Sequence, residues 1–489
     1  MTTLIPKIDL KNGGTTPVGA INRTINEKSQ DILSVKDFGA VGDGNVDDTT
    51  AIQNAINYCP QYGAIFFPAG TYVVSTTLTI GTNNIKLYGP AILKAKASTN
   101  FDYILSATSL SGIIVEELTF DANKTNRTSG QTIRFMGAGF ISCTDSSFIN
   151  CTALNTRGYG SISAVGIAIG GTSIRCLIQG CRAENCGDSP SNASDGFYTS
   201  GNQNVLANSI ATNCVDTGFV IESSNNSIIT GCTANLCGAG AAVTNAINPD
   251  VYGNIINGLT IFNWTGGSGV TGGIQIGTPL STSTGSLYDT SISNVVMYAN
   301  TGSGYGLGPA INIRKTGTPQ AVNVSLSDIM INGATTQGVL VDGQEITVDN
   351  ATVKGLPTGV GSAGIVFSSG ISHIVSDSYI FGCDNGVVTN NVSSVVLQNN
   401  FLYSQVNYGI LGNNTSTIRA IFNFIGSPGN SNVHTTGSAS LNLIGANSTG
   451  NALAINNATG SGVSGSIVNK FQIFDANGNS LGYVPIYNS

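Results

Sequence analysis

The sequence predicts an all-β chain wound into a parallel β-helix, a solenoid of about 22 residues per rung. Three observations carry that prediction. Of 489 residues, 63 are Gly and only 9% are charged, against about 25% charged in an ordinary soluble protein. Gly and Asn at this density suit many tight turns between short strands. The middle of the chain also repeats: Ile178–Cys186, Leu206–Cys214 and Ile229–Cys237 align without a gap. Each block leads to a short strand opened by a glycine, at Gly196, Gly218 and Gly240, 22 residues apart. The same beat returns at Gly364, Gly386 and Gly409. One rung cannot bury its own apolar face, but stacked rungs can.

In chain order, residues 47–58 place Ile52, Ala55 and Ile56 at helical spacing behind Asp and Thr cap material. A short helix here is expected to cap the open end of the coil, whose bare edge would otherwise recruit other chains. Ala64–Phe67 and Thr71–Val74 read as the strands that follow. Within the repeat, alternation of side chains puts Cys181, Ser209 and Cys232 in one interior column. Ala183, Ala211 and Ala234 form a second, and Cys186, Cys214 and Cys237 a third. Phe197 and Phe219 point inward, as do Thr199 and Ile221; Tyr198, Val220, Ser200 and Glu222 point out. The cysteines read as small buried hydrophobes rather than disulfides or redox groups. Lys470–Tyr487 reads as two strands around an Asn-Gly turn, closing the last rung or knitting an oligomer. Four segments are expected: an N-terminal arm (1–33), a capping helix with the first strands (34–92), the β-helix body (93–435) and a small C-terminal β closure (436–489).

Several function classes are disfavoured. Lys and Arg number 19 against 26 Asp and Glu, a net charge of −7. No basic patch is present to displace counterions from a nucleic acid. The N-terminus has no apolar run suited to a signal peptide, and no stretch is long enough for membrane insertion. With two His and no Cys-x-x-Cys pair, no metal site and no cofactor is expected.

Ser34–Gly44, then Asp47–Ile56, then the strand Phe66–Tyr72 closely resemble the opening motif of the pectate-lyase-like superfamily. Val18–Lys28 is similar to the segment preceding that motif in bacteriophage tailspikes. The resemblance implies a right-handed coil and a homotrimer that recognises and depolymerises a bacterial surface polysaccharide, capsule or O-antigen. It also implies that residues 1–33 attach to the phage tail or baseplate, and that the protein resides in the virion and leaves the host by lysis. The chain departs from the polygalacturonase pattern: His373 lies in Ser-His-Ile and His434 in Val-His-Thr, not in Gly-His-Gly, and Ile313-Arg-Lys is a faint match only. A pectate-lyase mechanism needs a base, for which Arg157, Arg175 and Arg182 are available, but no compact acidic cluster for calcium is evident.

Glycoside hydrolysis needs two carboxylates beside the scissile bond. Rungs stack about 4.8 Å apart, so acids on neighbouring rungs meet that need. Asp195, Asp216 and Glu222 are the catalytic candidates. Asp188, Tyr198, Ser200, Glu184, Arg182 and Trp264 are the substrate-binding candidates. Glu222 faces out beside Ser200, and Tyr198 also faces out and is suited to stack under a sugar ring. Asp188 opens a Pro-Ser-Asn insertion that breaks the rung length. Arg182 and Glu184 face outward together on another side of the coil. Trp264 follows the strand-like Leu259–Asn263, with Tyr252, Tyr159 and Tyr305 as further surface aromatics; Asp250 and Asp289 are outlying acids. The competing reading of an Asp before Gly is plain turn chemistry, and a buried Trp is as ordinary as an exposed one. Hydrolysis is therefore expected, with β-elimination or a non-catalytic glycan-binding spike as alternatives.

Overall fold

The computed structural model describes residues 32–426 apart from 129, 161, 189–193, 246–249, 267–271, 278–284 and 315–320. Beyond them it describes the strands at 7–8, 23–24, 431–436, 441–444, 455–457, 467–474 and 480–487. Most of the expected N-terminal arm and of the C-terminal segment, and the insertion after Asp188, lie outside the described residues.

The chain is a parallel β-helix. One wall is a sheet of fifteen parallel strands, from Leu78–Ile80 to Ile455–Asn457, each paired with the strand one rung away. The other two rows of strands merge where three long strands, Ser291–Tyr298, Ser325–Asn332 and Thr347–Lys354, run through both. The enclosed core is one continuous apolar cluster from Leu33 to Val433.

The columns expected from the repeat are present. Ala183 pairs with Ala211, and Ala211 with Ala234. Phe197 pairs with Phe219, Tyr198 with Val220 and Thr199 with Ile221. The two Phe rings stack at 5.1 Å inside the coil. All ten cysteines are buried and unbridged. The 22-residue glycines have a steric cause. A Cβ on Gly196 would lie 2.7 Å from the Gly218 carbonyl oxygen, and one on Gly218 would lie 2.8 Å from that of Gly240. No side chain fits that column. The asparagines serve the corners: Asn155, Asn185 and Asn213 all have φ near +55°, where Asn is tolerated better than most residues. Their amides bridge rung to rung, Asn185 Nδ2 donating to Asn155 Oδ1 at 2.7 Å.

The capping helix spans Thr49–Tyr58 and buries Ile52, Ala55 and Ile56, as the spacing predicts. The Asp47 carboxylate accepts from Thr49 N and Oγ1, while Asp48 turns back to accept from Val41 N and Gly42 N. Gln53 closes the sheet edge: its amide accepts from Thr79 N and donates to Thr79 O, both at 2.9 Å. The outermost strand thus finds a side-chain substitute for the missing rung. At the other end, Ile467–Phe474 and Ser480–Tyr487 pair antiparallel, the two strands expected there.

Candidate active site

The outer surface of the fifteen-stranded sheet carries a cleft of about 530 Å³. Its floor is a row of register partners, Ala168, Tyr198, Val220 and Ala242. Three of the four are small, which makes the hollow; Tyr198 stands up from it. Asp195, Asp216 and Glu222 all line this cleft, although they come from different places in two rungs.

Asp195 precedes the tight Gly196 position and is only 8% exposed. Its Oδ1 accepts from Thr217 N at 3.0 Å on the next rung. Burial pushes its carboxyl well above the usual carboxylate range, the Asp216 charge adds to this, and the Thr217 N–H opposes it. Asp216 follows one rung on, its own N–H donating to Ser194 O. Glu222 sits in a β-bulge. Thr199 pairs with Ile221 but Gly201 with Ser224, so Glu222 and Ser223 together stand opposite Ser200, while Glu222 keeps its register with Thr244 on the next rung. Burial pushes the Glu222 carboxyl up as well. The Tyr198 phenol is raised by burial and then by the Glu222 charge.

Three wall residues escape the sequence reading: Tyr103, Arg134 and Ser163. Tyr103 and Tyr198 both pack against the small apolar cluster of Met136, Ala164, Val165 and Ala168. Arg134 is held by Asp102 at 3.2 Å and donates to Ser163 O. It is the cation among the described cleft residues. These residues lie before the regular repeat that starts near Ile178, on rungs of irregular length where no repeat fixes their direction.

The remaining candidates are scattered. Ser200 is buried and its hydroxyl donates to Gly171 O at 3.2 Å, at the cleft margin. Asp188 pairs with Arg157 at 3.4 Å. Arg182 and Glu184 pair with each other on the strand Arg182–Glu184, which belongs to another row of the coil, as expected. Trp264 requires a correction. It is fully buried, with Nε1 donating to Leu307 O at 3.0 Å, because the strand ends at Phe262 and the alternation no longer applies beyond it. Tyr252 stacks on Tyr288, Tyr159 is exposed and Tyr305 packs against the core. Asp250 accepts from Ser286 N and Asp289 from Asn323. None of these lines the cleft. Nor do the arginines considered as elimination bases: Arg157, Arg175 and Arg182 pair with Asp188, Asp145 and Glu184. Among the described residues no three His, Cys, Asp or Glu converge to hold a metal, and no helix is long and apolar enough to cross a membrane.

A sequence model of the family described as rhamnogalacturonase A/epimerase, pectate lyase-like, matches residues 32–268, a span that contains the whole cleft. Just under half of this chain, from the capping helix through the cleft, is thus similar to that family. The tail spike protein of Shigella phage Sf6 is 40% identical over 87 residues, 16% of this chain and 14% of that one, so the match spans about a seventh of that relative's length. The β-helix also superposes on solved structures. The tailspike double mutant of E. coli bacteriophage HK620, in complex with a pentasaccharide, matches with a TM-score of 0.53 at 15% identity. That match covers 86% of this chain and 77% of that one. The A-module of the Azotobacter vinelandii mannuronan C-5 epimerase AlgE4 gives 0.50 at 14% identity, covering 87% and 100%. At such identities the likeness is one of fold.

Proposed function

We propose that this chain is a phage tailspike that binds a bacterial surface polysaccharide and cuts it by carboxylate-catalysed glycoside hydrolysis. The observation that carries the reading is the meeting of Asp195, Asp216 and Glu222 in one cleft, with Asp195 and Glu222 both pushed toward their neutral forms. A proton donor must be neutral at working pH, and burial beside a second acid produces that state. Asp195 is assigned as the donor to the leaving oxygen. Asp216, one rung away, is assigned as the second carboxylate, which attacks the sugar or activates water according to the gap between the carboxyl groups. Glu222 and Tyr198 hold the sugar at the far end of the row. The apolar floor and the two tyrosines suit the CH-rich face of a pyranose, and the volume is that of an ordinary ligand site. The short stretch of likeness to the Sf6 tail spike supports the tailspike setting, in which residues 1–33 join the phage tail.

The test is digestion of a panel of purified capsules and O-antigens, reading new reducing ends and unsaturated-uronate absorbance together. Reducing ends alone support hydrolysis. Both signals rising would mean elimination and turn attention to Arg134. Silence on a glycan that the protein demonstrably binds would sink the cleaving role. Deuterium uptake into such an uncut glycan from heavy water would mark an epimerase instead.

A further inference from the structure

The outer face of the fifteen-stranded sheet is not open along its whole length. Register carries the cleft floor past Ala242: Ala242 pairs with Gln275, Gln275 with Asn312 and Asn312 with Leu340. Gln275 stands between Ile274 and Ile276, and Asn312 between Ile311 and Ile313, all four in the core. Alternation therefore turns both amides outward. Yet Gln275 is 0% exposed and Asn312 4%, and neither is without a partner. Buried amides are hydrogen-bonded, so two adjacent rungs of this face are sealed from water by polar contact. One rung further on, Leu340 is only half-buried. In the other direction the row stays open. Ala168 pairs with Gly139, Gly139 with Ser106 and Ser106 with Thr79. The Tyr103 ring fills the place of a side chain on Gly139, 2.5 Å from where its Cβ would lie. Beyond it Ser106 is half-buried and Thr79 exposed.

The acids divide this one-ended groove unequally. Asp195 and Asp216 come just before the floor residues of their rungs, Tyr198 and Val220, and Glu222 comes just after Val220. They flank the floor from both sides, so a glycan lying along the coil passes between them. From Val220 to Gln275 is two rungs, roughly 10 Å at about 4.8 Å each. That is room for one or two pyranose rings before the sealed amides. Toward Thr79 no such stop exists among the described floor residues. We infer that the cleft takes the end of a polysaccharide chain, with its last one or two sugars against Gln275. Hydrolysis there adds water across the bond held between the acids and releases a mono- or disaccharide, and internal bonds are not cut. The inference rests on the proposed glycan cleft for its ligand, but the sealed end does not depend on catalysis.

The experiment uses the purified capsule or O-antigen that the panel shows this protein to bind, separated by length into a short fraction and one about fourfold longer. The full chain carrying Asp195→Asn, with cleavage suppressed, is titrated calorimetrically with each. End recognition predicts equal protein copies per polysaccharide chain, and so about fourfold fewer copies per gram of the longer fraction. Equal copies per gram would mean internal binding and overturn the inference. The parent's products are then followed by size exclusion, which carries the test should the variant fold poorly. A mono- or disaccharide is expected from the first minutes, with the mean length of the remaining polymer falling less than about twofold. Early collapse of the polymer into a ladder of intermediate lengths would overturn the inference and leave the hydrolytic reading intact. Binding counted by chain ends with no cleavage by the parent would do the reverse. A panel in which no glycan binds would overturn both.

Discussion

Asp195 is where composition, rung geometry and chemistry meet. Its folded-state pKa lies above the ordinary carboxylate value of 3.8 because it is buried and faces Asp216. A group raised in this way contributes stability that is complete below about pH 4 and lost as pH rises through the folded value. Asp195→Asn is therefore expected to melt higher than the parent at pH 7, with the gap closing near pH 3, while cleavage falls roughly 10²–10⁴-fold. A variant that melts lower at both pH values would make Asp195 a structural acceptor for Thr217 and nothing more. His373 works with the opposite sign. Its ring stacks on Phe367 at 4.5 Å, Nδ1 accepts from Ile346 N, and burial lowers its pKa from 6.5. Stability from this residue is complete above pH 6.5 and lost as pH falls through the lowered value. His373→Gln should thus flatten the fall in melting temperature between pH 7.5 and pH 5, and a parent-like slope would refute this.

The rung is the element that repeats, and its glycine column and corner loops set its tolerance. A methyl on Gly218 would meet the Gly240 carbonyl and Ala234, so Gly218→Ala is expected to cost about 2–3 kcal/mol in denaturant unfolding. Gly81 has open space around it, and Gly81→Ala should be neutral within about 0.5 kcal/mol. Equal costs would remove the steric account of the period. Loop 359–362 is held by one side chain: the Asp384 carboxylate accepts backbone N–H bonds from Gly359, Val360, Gly361 and Ser362. Burial works against its charge, but these bonds prevail and hold the carboxyl below its usual value. This contribution is present above about pH 4 and lost as pH falls through the lowered value. Asp384→Ala should expose the loop to proteolysis and cost about 2–3 kcal/mol at pH 7.

Across the whole molecule, stability is a property of the stack. Each rung lends its edge to the next, and only the ends need special closure. Gln53 fills that need at one end by pairing with both backbone groups of Thr79. Gln53→Ala should open the edge of Leu78–Ile80 and raise aggregation on mild heating. The same stacking hides every thiol: native protein should show no reaction with a thiol reagent within minutes, and ten thiols per chain after unfolding. Early reaction would mean that the Cys186, Cys214 and Cys237 column opens locally.

The interior of the coil was legible in the sequence because two periods are written directly in residue types. Alternation along a strand assigned Phe197 inward and Tyr198 outward, and the 22-residue interval aligned Ala183, Ala211 and Ala234. Steric exclusion and burial act on every rung alike, so they leave a repeating mark. The three acids could be named for the same reason, since Asp195, Asp216 and Glu222 sit on the regular rungs. Their union in one hollow was decided by tertiary structure. The bulge at Glu222 depends on one extra residue against a neighbouring strand, which no single rung reveals. Tyr103 and Arg134 come from rungs whose lengths vary, and Trp264 lies past a strand end where alternation lapses. Sequence determined what each rung buries; only stacking decided which surface side chains from separate rungs share one cleft, because that depends on register and curvature summed over neighbours.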